Sequence, residues 1–238
     1  VGTTPDDLST GPVSIGRFAL EPIYPVFYKY YNDHDFGSVT IRNNEKIPAT
    51  DIRVSYVIKQ YMDAPAVILA AGSLAPGQEA KIPVRGLFNN AILSITEGTL
   101  VVTEFTISYK VGSREQSRTV TTPIRILDRN SMSWFDDRCA AAYVTAKDPA
   151  VLSFAKNVIG LASNRTGQTS DRGLISAVAI HAALELYGMN YIVDPKSSYA
   201  SLSGSRGAID FLQFPRQTLE YRSGDCDDLS ILYAALLE

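Results

Sequence analysis

In Ile52-Arg53-Val54-Ser55-Tyr56-Val57-Ile58-Lys59, apolar Ile52, Val54, Tyr56 and Ile58 alternate with Arg53, Ser55 and Lys59. Successive strand side chains point to opposite faces, so this period of two predicts a strand with one face buried and one wet. The pattern repeats on both sides. Val39 and Ile41 alternate with Ser38, Thr40 and Arg42; Phe105, Ile107, Tyr109 and Val111 form a second set, and Val120, Thr122, Ile124 and Ile126 a third. Turn formers separate the runs at Asn43-Asn44, Pro76-Gly77 and Gly112-Ser113. The period holds from about Arg17 to Ile126 with no long helical pattern inside it. Several half-buried strands at this spacing predict an all-β immunoglobulin-like β-sandwich over residues 1–128. This region has no cysteine pair and no Trp, which argues against an antibody-type domain.

Near Asp128 the period changes. Asp128-Arg129-Asn130-Ser131-Met132-Ser133-Trp134 reads as a polar linker that docks through one aromatic ring. Asp148 is placed to cap a helix whose first residue is Pro149, with Val151, Phe154, Ala155 and Val158 as its apolar stripe and Gly160 as its end. A second helix is expected from about Gly173 to Tyr187, with Ala177, Ile180, Ala183, Leu184 and Tyr187 on one face and Gly188 as terminator. Residues 194–207 are rich in Ser and Gly. They read as a long loop that either lines a cleft or simply connects two elements. A short helix starts at Phe214-Pro215-Arg216-Gln217-Thr218-Leu219. The second domain, 129–238, is therefore expected to be mainly helical.

Composition narrows the function. The net charge of −3 is spread along the chain with no basic stripe, which disfavours a nucleic-acid partner. There is no apolar run of the ~18 residues that a transmembrane helix needs. Two cysteines and two histidines make neither a disulfide framework nor a Cys/His zinc site. The run Asp225-Cys226-Asp227-Asp228 lacks the ligand spacing and glycine of a calcium loop. No metal and no cofactor are expected.

The residue with chemical potential is Cys226. From Asp227 to Glu238 the chain is rich in helix formers, with Leu229, Leu232, Tyr233 and Leu236 on one face and Ile231, Ala234, Ala235 and Leu237 filling much of the rest. A helix apolar on most sides is a buried one. Cys226 stands at its start, after Gly224, where the backbone is free to turn sharply. First-turn amides and the helix dipole stabilise an anion there, which favours the reactive thiolate and, later, an oxyanion. The flanking aspartates 225, 227 and 228 oppose this, unless Asp225 or Asp228 caps the amides instead of facing the sulfur. Two readings stay open: an activated nucleophile, or a packed structural thiol. His181, at the edge of an apolar helical face, reads as a boundary residue, and His34 as a loop residue. Cys139 reads as a small packed side chain, and a Cys139–Cys226 disulfide is compatible with the sequence.

Tyr221-Arg222-Ser223-Gly224-Asp225-Cys226-Asp227-Asp228-Leu229-Ser230-Ile231-Leu232 resembles the cysteine segment of the bacterial transglutaminase-like (papain-type cysteine) superfamily, in which Gly-x-Cys is followed by an acidic residue and an apolar helix. Phe214–Leu219 and Gly188-Met189-Asn190-Tyr191 fit the family's helical lead-in, and the likeness spans about Trp134 to Glu238. The resemblance implies an α+β domain whose front half is present here, and acyl transfer or amide and peptide hydrolysis by Cys226 on a protein or peptide substrate. Hydrolysis is preferred to cross-linking because water is always available as acceptor. In that family a histidine and an aspartate follow the cysteine, whereas this chain stops at Glu238, twelve residues on. By itself it is thus expected to be inactive. It is also expected to leave the 227–238 helix partly uncovered at Ile231, Tyr233 and Leu237, which favours self-association. The stretches Gly37–Asn44 and Pro48–Val54 loosely resemble accessory sandwiches of bacterial surface and periplasmic proteins, which implies an exported setting. The alternative is a non-catalytic interaction or structural module that keeps the fold.

Overall fold

A computed structural model describes residues 11–163, 171–193 and 208–238, and these divide into two compact units, 1–129 and 130–238. In the first unit seven strands form two sheets. β1 (Val13–Leu20), β2 (Gly37–Asn43) and β5 (Glu79–Pro83) lie in the order β1-β2-β5. β3 (Ala49–Val57), β4 (Ala66–Leu69), β6 (Thr99–Val111) and β7 (Arg114–Ile126) lie in the order β4-β3-β6-β7. All the ladders are antiparallel. This is a two-sheet sandwich of the immunoglobulin kind. Its fourth strand pairs with the third, whereas in a constant-type domain it would lie on the first sheet. β4 and β5 are therefore both sheet edges.

The alternating residues do what their period requires. Ile52, Val54, Tyr56, Phe105, Ile107 and Tyr109 are buried while their neighbours face outward or sit half-buried. At the centre Phe105 packs on Phe18 and Tyr56, at ring separations of 5.0 and 5.4 Å, and Phe36 joins Tyr56 to Phe88. Such ring contacts, stacked, tilted and edge-on, add to plain area burial. Gly86 lies against the Tyr56 hydroxyl so closely that a Cβ there would collide with it. Gly86→Ala is therefore expected to lower the stability of this unit by about 1–3 kcal/mol. The readout is a lower urea midpoint at unchanged slope.

The second unit corrects the expected fold class. An all-β sandwich followed by a mainly helical front half of a transglutaminase-like α+β domain is not what the described residues form. The helices α1 (Pro149–Ser163), α2 (Arg172–Leu186), α3 (Pro215–Tyr221) and α4 (Cys226–Leu237) are interleaved with four short strands in two two-stranded sheets. β8 (Ser131–Met132) pairs antiparallel with β10 (Asp210–Phe211), and β9 (Asn190–Tyr191) pairs parallel with β11 (Ser223–Gly224). Pairs of two residues are too short for any period to reveal them. The stretch read as a polar linker is part of this framework: Asn130, Ser131, Met132 and Ser133 are all buried. Their polar groups are satisfied internally, as burial demands. Asn130 Nδ2 donates to Leu212 O and Gln217 Oε1, and Tyr143 Oη donates to Ser131 O.

Asp148 does cap α1, accepting from the Ala150 amide at 2.9 Å, but the helix runs through Gly160 to Ser163. Glycine costs a helix interior about 1 kcal/mol, which the helix's packing outweighs here. Asp171 caps α2, and Gly188, with φ of 82°, follows its end. The core of this unit comprises Val151, Ala155, Ile180, Leu219, Leu232, Ala235 and Leu236. The stretch 194–207, read from the sequence as a long loop, lies outside the described residues.

Candidate active site at a helix start

The chain reaches Cys226 through a constrained path. Arg222 ends α3 in the left-handed region, with φ of 54°. Ser223 and Gly224 then run as β11 beside β9, with the Asn190 amide donating to Arg222 O and the Ile192 amide to Gly224 O. The sharp turn is made by Arg222, not by Gly224. What Gly224 supplies is closeness, since a Cβ there would lie 2.6 Å from Asp228 Cβ. Any side chain at 224 would displace the first turn of α4.

Asp225 is the N-cap. Its Oδ1 accepts from the amides of Asp227 at 3.1 Å and Asp228 at 3.3 Å, and its carbonyl takes the Leu229 amide. Cys226 is the first helical residue and is exposed. Two of the first-turn amides that favour an anion are thus already used by the Asp225 carboxylate. The amide of Cys226 faces its own sulfur, where it works to lower the thiol's pKa.

The electrostatic balance differs from the expectation of an activated thiol. The sulfur donates to Asp227 Oδ1 at 3.3 Å. The Cys226 pKa is raised, first by loss of solvent around the sulfur, then by the hydrogen bond and charge of Asp227 and the charge of Asp225. Capping turns Asp225 toward the amides, yet its charge still acts on the thiol. Asp227 is itself raised by partial burial, with Asp225 and Asp210 adding to the effect against the thiol's donated bond. Asp225, Cys226 and Asp227 bring one ligand atom each within 4.8 Å of one another. Two of these oxygens are already engaged, Asp225 Oδ1 by amides and Asp227 Oδ1 by the thiol.

Asp228 is buried and accepts from Gln213 twice, from its backbone amide and from Nε2, each at 2.8 Å. Burial pushes its carboxyl up to about 6, with Asp225 and Asp227 adding to the rise. This clamp fixes the segment before α3 to the start of the cysteine helix. Sequence reading named Asp228 only as a charge or a cap, and nothing in the pattern pointed to Gln213. Asp210, buried beside the site, accepts from Trp134 Nε1 at 2.7 Å and also went unnoticed.

The other singled-out residues lie elsewhere. His34 belongs to the first unit, where it stacks on Tyr30 with ring centroids 3.6 Å apart. His181 is exposed on α2. Among the described residues no histidine is hydrogen-bonded to Cys226. Both cysteines are free thiols, so the Cys139–Cys226 disulfide is not formed, and burial raises the Cys139 thiol. The expected uncovering of the 227–238 helix holds at two of its three residues, Tyr233 being half-buried and Leu237 exposed, and fails at Ile231. Ile231 is buried, Tyr233 donates its hydroxyl to Ala177 O at 2.9 Å, and Leu237 stays 44% exposed. α1, α2 and α3 supply the cover.

No family model matches the chain, and no curated protein matches it. Two solved structures are similar over about half of it. One is the GAE domain of GGA2p from Saccharomyces cerevisiae, 8% identical with a TM-score of 0.29; the match covers 50% of this chain and 96% of that one. The other is the Salmonella enterica SafA pilin in complex with the SafB chaperone, 15% identical with a TM-score of 0.31; the match covers 51% of this chain and 57% of that one. Likenesses this slight carry no argument about function. No described helix is long and apolar enough to cross a membrane.

Proposed function

We propose that this chain carries the nucleophile of a cysteine-dependent acyl transferase acting as an amidase or peptidase. One observation carries the reading: Cys226 is exposed at the first position of a buried helix. The likeness of Tyr221–Leu232 to transglutaminase-like cysteine segments supports it. In the proposed step the Cys226 thiolate adds to a carboxamide carbon and the Cys226 amide steadies the oxyanion. Collapse expels the amine, which takes up a proton, and leaves a thioester. Water then attacks the thioester, releasing the acid and returning a proton to the sulfur.

The reaction needs a base, because the raised thiol is protonated at rest. In the family that the segment resembles, a histidine and an aspartate serve. Imidazole is a simple substitute. In its presence, ammonia release from a glutamine-containing peptide is expected, lost in Cys226→Ala and kept in Cys139→Ala. Without imidazole no turnover is expected. A second reading, an interaction module that keeps an inert thiol, is favoured by the raised pKa. It stands if imidazole brings no release that depends on Cys226.

A thiol prediction separates local electrostatics from function. Iodoacetamide alkylation across pH is expected to titrate Cys226 above the ordinary ~8.5. Asp227→Asn is expected to move that value down, since both the hydrogen bond and the adjacent charge weaken. An unchanged profile in the variant would remove Asp227 as the cause.

A further inference from the structure

The two sheets of the sandwich end on one side at β4 and β5, and the seam between these edges holds two cavities. The first, of about 430 Å³, has Ala66 and Val67 on one wall and Arg85, Gly86 and Phe88 on the other. The second, of about 250 Å³, has Ile68 and Leu69 on one wall and Ile82 and Pro83 on the other, and it reaches the core residues Ile41 and Ile52. A register shift against β3 makes Ile68 a bulge residue, so Ile68 and Leu69 in succession are half-buried beside the second cavity. The lining runs on from one cavity to the next along both chains, so they form one trough.

The two compartments differ in chemistry. The second is walled by hydrocarbon; its one charged lining residue, Lys81, is exposed. An apolar cavity of ~150 Å³ already stays dry and takes benzene, so this one suits a hydrocarbon chain. The first compartment holds a cation and a buried donor. Arg85 is half-exposed and paired with the half-exposed Asp35 at 3.5 Å, and such pairs contribute little, so its guanidinium can take another carboxylate. The Tyr56 hydroxyl ends beside Gly86 and Ala66, both of which line this compartment. Tyr56 is 1% exposed, and its hydroxyl has no hydrogen-bond partner among the described residues. Burial raises its pKa, so it keeps its proton and can donate. Asp63 brings an opposing charge to the same lining, but its carboxylate is engaged by Asn89 Nδ2 at 2.8 Å.

We propose that the β4/β5 trough binds a medium-chain fatty acid, with the carboxylate on Arg85 and the Tyr56 hydroxyl and the alkyl chain in the second cavity. A carboxylate matches the planar fork of a guanidinium. A cation and a donor in one compartment, with hydrocarbon walls in the next, select an amphiphile over a plain anion or a plain hydrocarbon. A second copy of this chain fits less well, because no amino-acid side chain carries both an anion and a hydrocarbon tail.

The test is calorimetric titration of the chain with hexanoate, octanoate, decanoate and dodecanoate, each below its micelle concentration. Affinity is expected to rise about four-fold per added methylene until the tail fills the second cavity, then to level off. Decanoate should bind at least about ten-fold more tightly than decanol, and Arg85→Gln should remove that difference. Tyr56→Phe should weaken decanoate without lowering the melting temperature of the free chain, where the hydroxyl has no partner to lose. Ala80 shares the inward face of β5 with Ile82 and lines the second cavity, so Ala80→Met should move the optimum to a shorter acid. The proposal is overturned by no binding, by decanol binding as tightly as decanoate, by affinity independent of chain length, or by unchanged binding in any of these variants when folded by thermal melting. Should Ala80→Met fail to fold, the chain-length series and the exposed Arg85→Gln decide. Dimerisation without acid binding would assign the trough to a second copy and overturn it too.

Discussion

Leu232→Ala is expected to destabilise the 130–238 unit by about 3 kcal/mol and to leave the sandwich unit's own transition in place. Leu232 is fully buried in α4, and its core is small, with seven buried apolar residues in the cluster. The sandwich core draws on none of them. Removing the side chain costs its transfer energy plus the cavity that α1, α2 and α3 only partly close. Urea unfolding followed by Trp134 fluorescence, for the chain's single Trp, reports the second unit alone. A loss below about 1 kcal/mol would mean that the site collapses easily, and that the helix carrying Cys226 is held by something other than this core.

How much of this was legible in the sequence depended on length and burial. Strands such as Ala49–Val57 and Thr99–Val111 are long enough to display a period of two, so the sandwich could be read from residues. The switch of β4 to the other sheet could not, because four apolar residues carry no information about which neighbour they pair with. In the second unit the helices announced themselves through caps and apolar stripes. The two-residue strands at 131–132, 190–191, 210–211 and 223–224 did not, since they exist through long-range pairing and not local pattern. At the site, Cys226 and its helix were readable. The direction of its pKa was not, because it hangs on which way three aspartates point. Asp225 turns toward the amides, Asp227 toward the sulfur and Asp228 toward Gln213. Sequence gives the charges, and only the cap geometry gives the sign.

Asp228→Asn is expected to stabilise the second unit by about 2 kcal/mol at pH 7.5, and the gain should vanish near pH 4. The carboxyl has a folded pKa of about 6, above the ~3.9 of an unfolded aspartate. A group shifted upward contributes stability that is fully present below the unfolded value and is lost as pH rises through the folded one. At pH 7.5 the wild-type chain therefore holds a buried anion against its preference, with Asp225 and Asp227 nearby. Asparagine keeps the shape without the charge. Its Oδ1 can still accept from the Gln213 amide, as Asp228 Oδ1 does at 2.8 Å. Its Nδ2 then needs an acceptor, and Gln213 Oε1 is a buried oxygen with no partner at present. A half-turn of the Gln213 amide supplies one. Urea denaturation of both proteins at the two pH values is the measurement. A variant that loses stability at pH 7.5 would show that the carboxylate's two bonds from Gln213 outweigh its burial, and that the clamp beside Cys226 works as an anion.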